Sequence, residues 1–555
     1  MLFERGGRIE LGGGRRAATP GRLALVELGQ GRGRARIIRE LGDPQRAADV
    51  VEALLEDREV RRGFSRKLEG EATEAPDGAA KLDLERRDLR ELATFTVDPV
   101  SAHDFDDAVS ASPTKRGVRL WIHIADVAAH VRPGSPLDKE AHLRANSTYV
   151  PGLVAPMLPH TLSSDACSLA PDVDRLAVTS EIDLSETGEP FGASFYRSVI
   201  RSDARLNYDE LDEIFAGRRS PPRKIAEPLA LARTAAAALA DRRPRASLEV
   251  ESFEPEFRFE DGQVVGAHSV PQTEAHALIE HLMILTNERV AELLERRRIP
   301  TLYRVHEQPD PERIRHLIEQ LAELDIPTPA LPDTISPQQA GELAGEASRL
   351  VAREADRRGH GREAYTSLVL RSLKQAHYAD RNLGHAGLGS PAYAHFTSPI
   401  RRYPDLVAHR GLLSAIGAGE EAPRGETLAE VGAYCSERER DATRTERDAD
   451  SVCACFLLER ELFERGPDTR FEGQVSGVVG AGVFVRFGGM LADVYEGFLP
   501  ARRIGGRERY ELDQTETMLV GARGGGAIRI GDPATVTVDR VEAPRGRVDL
   551  LPSET

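Results

Sequence analysis

The spacing of apolar and polar residues divides the chain into a large central region and two smaller flanking segments. Residues 85–200 alternate strand-like runs with turns, as in VRLWIHIADVAAHV (118–131) and RLAVTSEIDL (175–184), since residues two apart share one face of a strand. Residues 225–300 and 340–380 show apolar residues at helical spacing, and a charged helix is predicted at 428–464. These segments predict one large α+β domain over residues 81–465.

The flanking segments have a different texture. Short alternating runs separated by Gly and Pro predict a five-stranded barrel over residues 467–553. Residues 1–43 are rich in Gly and Arg and contain strand-like runs at 23–28 and 35–41, which predict a small β module too short for a complete barrel. Residues 44–80 are predicted to form a helix and then a polar, turn-prone linker.

The charge balance restricts how this protein can meet a polyanion. The chain of 555 residues has 90 acidic and 74 basic side chains, a formal net charge of −16, which disfavours a protein that coats nucleic acid with its outer surface. The basic residues are 68 Arg and only 6 Lys, and Arg binds phosphate through two parallel hydrogen bonds. A polyanionic partner is therefore expected to be held locally.

The compartment is predicted from what the sequence does not contain. There are four cysteines and no CxxC pair, a usage that indicates a reducing compartment and argues against a structural zinc site. The sequence begins without the apolar run of a signal peptide and has no stretch of about 18 apolar residues. We expect a cytoplasmic protein with no membrane partner.

The segment TFTVDPVSAHDFDDAVS carries the strongest chemical signal. It places Asp98, Asp104, Asp106 and Asp107 within ten residues. Crowded carboxylates raise one another's pKa unless a cation compensates their charge, and all-oxygen ligands favour Mg²⁺ or Mn²⁺. The alternative is an acidic surface loop, and the spacing alone favours neither interpretation.

A second segment, HFTSPIRRYPDLVAHR (395–410), offers donors to phosphate. Arg401 and Arg402 follow a proline-fixed turn, with Tyr403 beside them and a predicted helix after it. Taken alone, this segment is more typical of a helix cap with two solvated arginines. Together with the carboxylates, it indicates metal-assisted hydrolysis of a phosphodiester.

Six segments occur in an order that identifies a known family. They are DPVSAHDFDD, WIHIADVAAHV, TYVPGLVAPMLPHTLSSDACSLAP, AHALIEHLMILTNERVA, LYRVHEQP and YAHFTSPIRRYPDLVAHR. Between about residues 85 and 415 the chain thereby resembles the catalytic RNB domain of the ribonuclease II and ribonuclease R family. The C-terminal barrel resembles the ribosomal S-one-like OB domain of that family, and residues 1–43 resemble part of a cold-shock-like OB domain.

The resemblance implies a multidomain α+β enzyme that degrades single-stranded RNA processively from the 3′ end to nucleoside 5′-monophosphates. It implies Mg²⁺ as the cofactor, with Mn²⁺ as a substitute, no dinucleotide cofactor, and a monomer. The alternatives are an endoribonuclease and an RNA-binding or RNP-assembly protein on the same fold.

The resemblance also assigns roles to individual residues. The four aspartates match the metal site, with Asp106 most closely tied to catalysis, and Arg401 matches the arginine that contacts the phosphate near the scissile bond. Tyr149 matches the tyrosine that stacks on a terminal base, and Glu446 matches a glutamate of the 3′-end pocket. Arg402 and Tyr403, beside Arg401, are included among the RNA contacts.

The barrel offers two further candidate RNA contacts, Phe484 and Arg486. Phe484 and Phe487 lie on its first predicted hairpin, where one ring is expected in the core and the other, Phe484, is available for stacking on bases. Arg486 is a candidate phosphate contact.

The sequence departs from the family pattern in two places. Val250 stands where many members carry an aromatic residue that completes a clamp on the terminal base, so the size of the final product is open. The family usually carries two cold-shock-like domains before the RNB domain, and residues 1–43 supply only part of one. A weaker hold on the part of the RNA that lies outside the catalytic domain is therefore expected.

Overall fold

The computed structural model describes residues 11, 19–28, 35–80, 85–243, 248, 254–504, 508–524 and 526–553. Its N-terminal part is an antiparallel strand pair followed by two helices. These elements are β1 (Leu23–Glu27), β2 (Arg36–Gly42), α1 (Ala47–Asp57) and α2 (Arg66–Ala80). Both predicted strands are therefore present.

Helix α2 occupies the stretch that the sequence predicted as a linker. The segment contains Pro76 and two glycines, which disfavour a helix, although its Ala, Glu, Lys and Arg residues favour one. Burial decides the outcome: Ala72 is fully buried in the main core, and Leu68 and Ala75 pack against that core. The linker prediction for this stretch is wrong because tertiary packing outweighs turn-prone composition.

The next part of the chain forms a seven-stranded mixed sheet with a helical excursion. Its elements in chain order are β3 (Arg87–Asp88), β4 (Phe95–Val97), β5 (Asp107–Thr114), β6 (Gly117–Ala125), α3 (Val127–His130), α4 (Pro136–Arg144), β7 (Thr148–Val150), β8 (Leu153–Ala155), a π-helical turn (Thr161–Ala166), β9 (Asp174–Ser185), β10 (Pro190–Arg201) and β11 (Ala204–Leu206). The strand order is β11-β4-β5-β6-β9-β10-β3, with β7 and β8 forming a separate hairpin.

Alternation along β6 shows why this sheet forms. Val118, Leu120, Ile122 and Ile124 all belong to the core, because every second residue of a strand faces the same side. Helices α6 (Ala226–Asp241) and α7 (Glu274–Arg297) cover β5 and β6. The sheet therefore holds the loops at its strand ends on a rigid base.

Helices dominate the following part of the chain. Its elements are α5 (Tyr208–Phe215), α6 (Ala226–Asp241), β12 (Glu254–Glu260), β13 (Gln263–Val270), α7 (Glu274–Arg297), β14 (Tyr303–Val305), α8 (Pro311–Glu323), α9 (Pro337–Arg358), α10 (Arg362–Ser372), β15 (His377–Ala379), a 3₁₀ turn (Ala386–Leu388), α11 (Tyr403–Ala415) and α12 (Gly425–Arg465). None of the helices described is long and apolar enough to cross a membrane.

Two strand pairs interrupt the predicted helical stretches. The β12–β13 hairpin turns at Asp261 and Gly262, both with positive φ, which is the signature of a tight hairpin turn. Strand β15 pairs with β14 instead of extending α10. The helical prediction missed both because short alternating runs inside helix-rich sequence are ambiguous.

The C-terminal part closes into a barrel on the end of α12. Its elements are β16 (Arg470–Val479), β17 (Gly482–Phe487), β18 (Tyr495–Pro500), α13 (Ala501–Ile504), β19 (Tyr510–Leu512), β20 (Met518–Gly521), β21 (Ala527–Arg529), β22 (Pro533–Glu542), a 3₁₀ turn (Ala543–Arg545) and β23 (Arg547–Pro552). The closed barrel has the order β16-β17-β18-β23-β22, and β19 to β21 form a small separate sheet. The prediction of a multidomain α+β chain ending in a five-stranded barrel is confirmed.

Glu461 joins the barrel to α12. Its buried carboxylate accepts hydrogen bonds from the Met490 amide at 2.9 Å and the Tyr495 hydroxyl at 3.1 Å. Burial opposes its ionisation, but these donors and Arg465 outweigh it and lower the pKa of Glu461. The barrel is thus attached through a buried charge that is fully hydrogen-bonded.

Candidate active site

The four aspartates lie around one end of the β4–β5 pair. Asp98 follows β4 and Asp107 begins β5, and these strands pair antiparallel through Phe95 and Val109. The intervening loop is held by Arg205 on β11, which donates to the carbonyl oxygens of residues 99, 100 and 102 at 2.8–3.2 Å. The sheet therefore brings the two ends of the acidic segment together.

Asp106 is the most buried of the four, with 3% of its surface exposed. Its Oδ1 accepts a hydrogen bond from the Ile400 amide at 2.8 Å. Its Oδ2 lies 3.5 Å from Nε of Arg401 and has no hydrogen-bond partner. Burial raises the pKa of Asp106 well above its usual range, although Arg401 opposes the shift.

Asp98 and Asp107 also resist ionisation. Burial first, and then the charge of Asp107, raise the pKa of Asp98 to about 8 against the opposing charge of Arg205. Burial raises the pKa of Asp107 to about 6, with Arg401 and Arg402 opposing it. Burial of neighbouring like charges raises the pKa values of carboxyl groups in this way. A cation placed among them would lower these pKa values.

The donor set fits a hard divalent cation. One oxygen each of Asp98 and Asp106 is buried without a hydrogen-bond partner, and a buried unpaired carboxylate oxygen calls for compensation. Within the part of the chain that the structure describes, no group of three or more His, Cys, Asp or Glu side chains could by itself hold a metal ion. Mg²⁺ commonly takes only one or two carboxylates and keeps waters or substrate phosphates as its other ligands, so the residues present suit it.

The turn from Ser398 to Arg402 faces these carboxylates. The amides of Arg401 and Arg402 donate to the Ser398 carbonyl at 3.3 and 3.0 Å. Asp405, fully buried in α11, accepts hydrogen bonds from the Ser398 amide at 2.8 Å and from Nη2 of Arg402 at 2.7 Å. Sequence reasoning missed Ser398 and Asp405, whose roles depend on the shape of the turn.

The two arginines have different surroundings. Arg402 is turned inward onto Asp405, which assigns it to holding the turn. The side chain of Arg401 is 43% exposed, and its Nη2 donates to Oγ of Ser398 at 3.1 Å. Arg401 therefore presents a guanidinium, steadied at one nitrogen, beside Asp106.

Tyr149 and Glu446 are brought to the same place. The Tyr149 hydroxyl donates to Oδ2 of Asp104 at 2.8 Å, and the Tyr149 amide donates to Oε1 of Glu446 at 2.8 Å. Helix α12 supplies Glu446 and strand β7 supplies Tyr149. Tyr149 as a whole remains 39% exposed, so a flat partner can reach this residue.

Residues 145–147 explain why Tyr149 lies near Arg401. The Ser147 amide donates to the Arg401 carbonyl at 2.9 Å, and the Tyr403 amide donates to the Ala145 carbonyl at 2.8 Å. These bonds join the start of the β7 hairpin to the arginine turn. No motif in the sequence indicates this pairing.

Tyr403 lies beneath the turn and not on its surface. It is buried, and its hydroxyl donates to Oδ1 of Asp138 at 3.1 Å, an oxygen that also pairs with Arg410 at 2.8 Å. Its aromatic neighbour is the ring of His142. This placement corrects the grouping of Tyr403 with the RNA contacts, because a buried, bonded ring supports the turn from behind.

The barrel candidates contact residues other than the four aspartates. Phe484 is partly exposed on β17, and its ring packs against the ring of Phe498 with the two centroids 5.1 Å apart. Phe487 is buried in the barrel core. Arg486 forms an ion pair with Glu363 of α10, which places its charge in the contact between barrel and central domain. Val250, the presumed clamp position, lies outside the described residues.

Comparisons with known proteins agree with this geometry. Residues 86–418 match the family model described as RNB domain. Ribonuclease R of Aquifex aeolicus is 34% identical over 528 residues, covering 93% of this chain and 72% of that protein. Ribonuclease R of Escherichia coli is 34% identical over 568 residues, covering 97% of this chain and 67% of that protein.

A solved structure extends the similarity to the whole fold. The structure of Mycoplasma genitalium RNase R in complex with ribose methylated single-stranded RNA superposes with a TM-score of 0.82 at 26% identity. The match covers 94% of this chain and 80% of that one. The similarity therefore includes both the central domain and the flanking parts.

Proposed function

Because the chain belongs to the ribonuclease II and ribonuclease R family, whose catalytic unit is the RNB domain, we propose that it is a 3′–5′ exoribonuclease. Its substrate is single-stranded RNA, which it hydrolyses processively to nucleoside 5′-monophosphates. It acts in the cytoplasm as a monomer, in RNA decay or processing.

The observation that carries this proposal is the pairing of Asp106 with Arg401. A buried carboxylate oxygen without a hydrogen-bond partner lies 3.5 Å from a guanidinium that is partly open to solvent. A phosphodiester bound between them would contact the cationic guanidinium of Arg401 on one side. On its other side lies the Asp106 oxygen, which could bind a metal ion. Such donors act where charge develops in the transition state of phosphoryl transfer.

Mg²⁺, or Mn²⁺ in its place, would be held among the carboxylates of Asp98, Asp104, Asp106 and Asp107, with one or two of them as direct ligands and water or substrate phosphate as the others. When bound there, such an ion supplies a Lewis acid for the phosphate and lowers the pKa of water. Arg401 binds the phosphate and offsets its charge. The Ile400 amide holds Asp106 in place through its other oxygen.

The 3′ end of the strand is positioned by Tyr149. Its partly exposed ring offers a stacking surface for the terminal base, an interaction worth about 1–3 kcal/mol per base. Glu446 fixes the backbone of Tyr149 and Asp104 holds its hydroxyl, so the ring is oriented before RNA arrives. Phe484, exposed on the barrel, offers a second stacking surface further along the strand.

A 5′-labelled RNA with a blocked 3′ end tests the direction of attack. An exonuclease acting from the 3′ end leaves this RNA intact while degrading the unblocked strand to mononucleotides. Internal fragments from the blocked strand would instead establish an endoribonuclease. Binding of both strands without any hydrolysis would establish an RNA-binding protein, provided that purified chain and Mg²⁺ are both present.

A further inference from the structure

Tyr149 joins the proposed stacking surface for the terminal base to the acidic loop. Its hydroxyl donates to Oδ2 of Asp104 at 2.8 Å, and a phenol has a single proton to donate. Burial, followed by the charge of Asp104, raises the pKa of Tyr149, so this proton stays on the hydroxyl at neutral pH. One side chain therefore serves both the stacking surface and a carboxylate of the candidate metal site.

The backbone of Tyr149 is fixed independently of its hydroxyl. Its amide donates to Oε1 of Glu446 at 2.8 Å, and Tyr149 pairs with Val154 across the β7–β8 hairpin. A tyrosine side chain turns about two dihedral angles, which prefer a few discrete values. With the backbone held, the bond to Asp104 therefore sets the plane of the ring.

The backbone around Asp104 is fixed as well. Oγ of Ser168 donates to the His103 carbonyl at 2.8 Å and accepts from the Phe105 amide at 3.0 Å. Among the residues that the structure describes, the Tyr149 hydroxyl supplies the only hydrogen bond to the Asp104 carboxylate. The same bond thus sets the direction of that carboxylate and leaves its Oδ1 to a cation or to a water that the cation holds.

Asp104 belongs to the same group of charges as the buried aspartates. After burial, which is the main cause, the charge of Asp104 helps to raise the pKa of both Asp98 and Asp106. Carboxylates at metal sites are commonly held by a hydrogen bond from a further residue, and loss of such a bond typically costs about 10–100-fold in metal affinity. The Tyr149 hydroxyl occupies the position of such a donor.

We propose that Tyr149 is a positioning residue for the divalent cation, and that its hydroxyl couples binding of the cation to stacking of the 3′-terminal base on the same ring. Asp104 and the ring are ordered together, whether the cation or the base binds first. The first ligand removes side-chain freedom that the second would otherwise have to remove, which produces positive cooperativity that is equal in both directions. The inference rests on the proposed function for the identities of the base and the cation.

Mn²⁺ binding to the full-length chain without RNA tests the positioning role. The electron paramagnetic resonance signal of free Mn²⁺ measures the affinity, and Tyr149→Phe should bind Mn²⁺ about tenfold more weakly than the unaltered chain. In an Asp104→Ala background, Tyr149→Phe should cause no further loss. A loss below about threefold in the otherwise unaltered chain, or an equal loss in both backgrounds, would show that the hydroxyl does not act through Asp104.

Tyr510→Phe is the matched control. Tyr510 lies partly exposed on β19, and its hydroxyl forms no hydrogen bond among the described residues. This variant should keep the Mn²⁺ affinity of the unaltered chain. All affinities are compared at a temperature at which thermal denaturation shows every variant to be folded, so a loss of affinity cannot reflect unfolding.

RNA binding tests the coupling. The RNAs carry 3′-methylene phosphonate linkages, which have no P–O3′ bond to hydrolyse, and end either in uridine or in an abasic residue. In fluorescence anisotropy with the unaltered chain, removal of the terminal base should weaken binding about fivefold more strongly with Mg²⁺ than without it. In Tyr149→Phe this difference should disappear. A base effect in the unaltered chain that is the same with and without Mg²⁺ would overturn the coupling.

The two proposals fail separately. If the unaltered chain does not hydrolyse ordinary RNA, the proposed function is wrong, yet the Mn²⁺ measurements still decide whether the Tyr149 hydroxyl positions Asp104. If hydrolysis proceeds and Tyr149→Phe keeps its Mn²⁺ affinity, only the role of the hydroxyl is overturned.

Discussion

The Ile400 amide donates a hydrogen bond to Oδ1 of Asp106 at 2.8 Å across 294 residues of sequence. This bond ties the acidic loop of the β-sheet to the turn that carries Arg401. The carboxylate is left with one oxygen directed at Arg401 and without a hydrogen-bond partner. The geometry of the candidate site therefore depends on a hydrogen bond between a backbone amide and a side chain that joins two distant segments.

Asp106→Asn should abolish RNA hydrolysis while leaving RNA binding largely intact. The amide oxygen of asparagine still accepts from Ile400, so the turn is kept, but the charge that would hold the metal is lost. A fall in kcat of at least about 10³-fold is expected. Single-turnover hydrolysis and fluorescence anisotropy with the same RNA measure the two properties, and substantial activity in a contaminant-free preparation would refute the assignment.

Arg401→Ala should impair hydrolysis far more than the loss of a surface arginine. Removal of a preorganised donor to the developing charge typically costs about 10²–10³-fold in kcat. Arg509, whose side chain is 85% exposed, provides the control, and Arg509→Ala should change kcat less than about twofold. Similar effects of the two substitutions on kcat would show that Arg401 contributes only to the overall electrostatic potential of the protein.

Replacements of Tyr149 should separate its ring from its hydroxyl. Tyr149→Phe keeps the stacking surface and loses only the bond to Asp104, so the final product should keep its length. Tyr149→Ala removes stacking worth about 1–3 kcal/mol and should release longer fragments. Denaturing gels that size the final product distinguish these results, and identical products from both variants would contradict the stacking role.

The metal-free chain should lose stability as the pH rises, because the pKa of Asp98 is raised to about 8 by burial and by Asp107. Its protonated form is favoured in the folded state, so this contribution is complete below about pH 4 and is lost as the pH rises through about 8. The stability advantage of Asp98→Asn should therefore grow with pH in denaturant titrations.

Added Mg²⁺ provides the counterpart to that measurement. At pH 8 the ion should stabilise the unaltered chain, since it binds the folded state, and should stabilise Asp98→Asn much less. An equal gain in both proteins would mean that Mg²⁺ binds elsewhere.

The buried pair of Asp126 and Arg197 should contribute strongly to the stability of the sheet. Both side chains are fully buried, and Arg86 also binds Asp126 at 2.8 Å. Asp126→Asn removes the charge that faces both arginines, leaving Arg197 with Glu420 at 2.8 Å as its carboxylate partner, and should cost about 3 kcal/mol in the free energy of unfolding. Urea denaturation of both proteins at pH 7 measures this difference.

The pH dependence of that difference has a definite sign. Burial opposes ionisation of Asp126, but Arg197 and Arg86 outweigh it and lower its pKa. The contribution is therefore present above about pH 4 and is lost as the pH falls through the lower folded-state pKa. A difference that persists unchanged at strongly acid pH would contradict this origin.

Much of the fold could be predicted from the sequence because its signals are local. Alternation in β6 and the long charged run of α12 were both interpreted correctly. The stretch that became α2 was not, because its helix depends on Ala72 being buried against a core formed by other segments. The same holds for the candidate site: the sequence shows which residue types it contains, but not which residues they contact.

The sequence by itself determined which residue types are available: four crowded aspartates, an arginine turn and six ordered family segments. Only the tertiary structure decided that Arg401 points out while Arg402 turns inward, that Tyr403 lies beneath the turn, and that Tyr149 contacts Asp104 and Glu446. The physical reason is range. Periodicity and turn chemistry act over a few residues, whereas burial and pairing depend on which distant segments pack together.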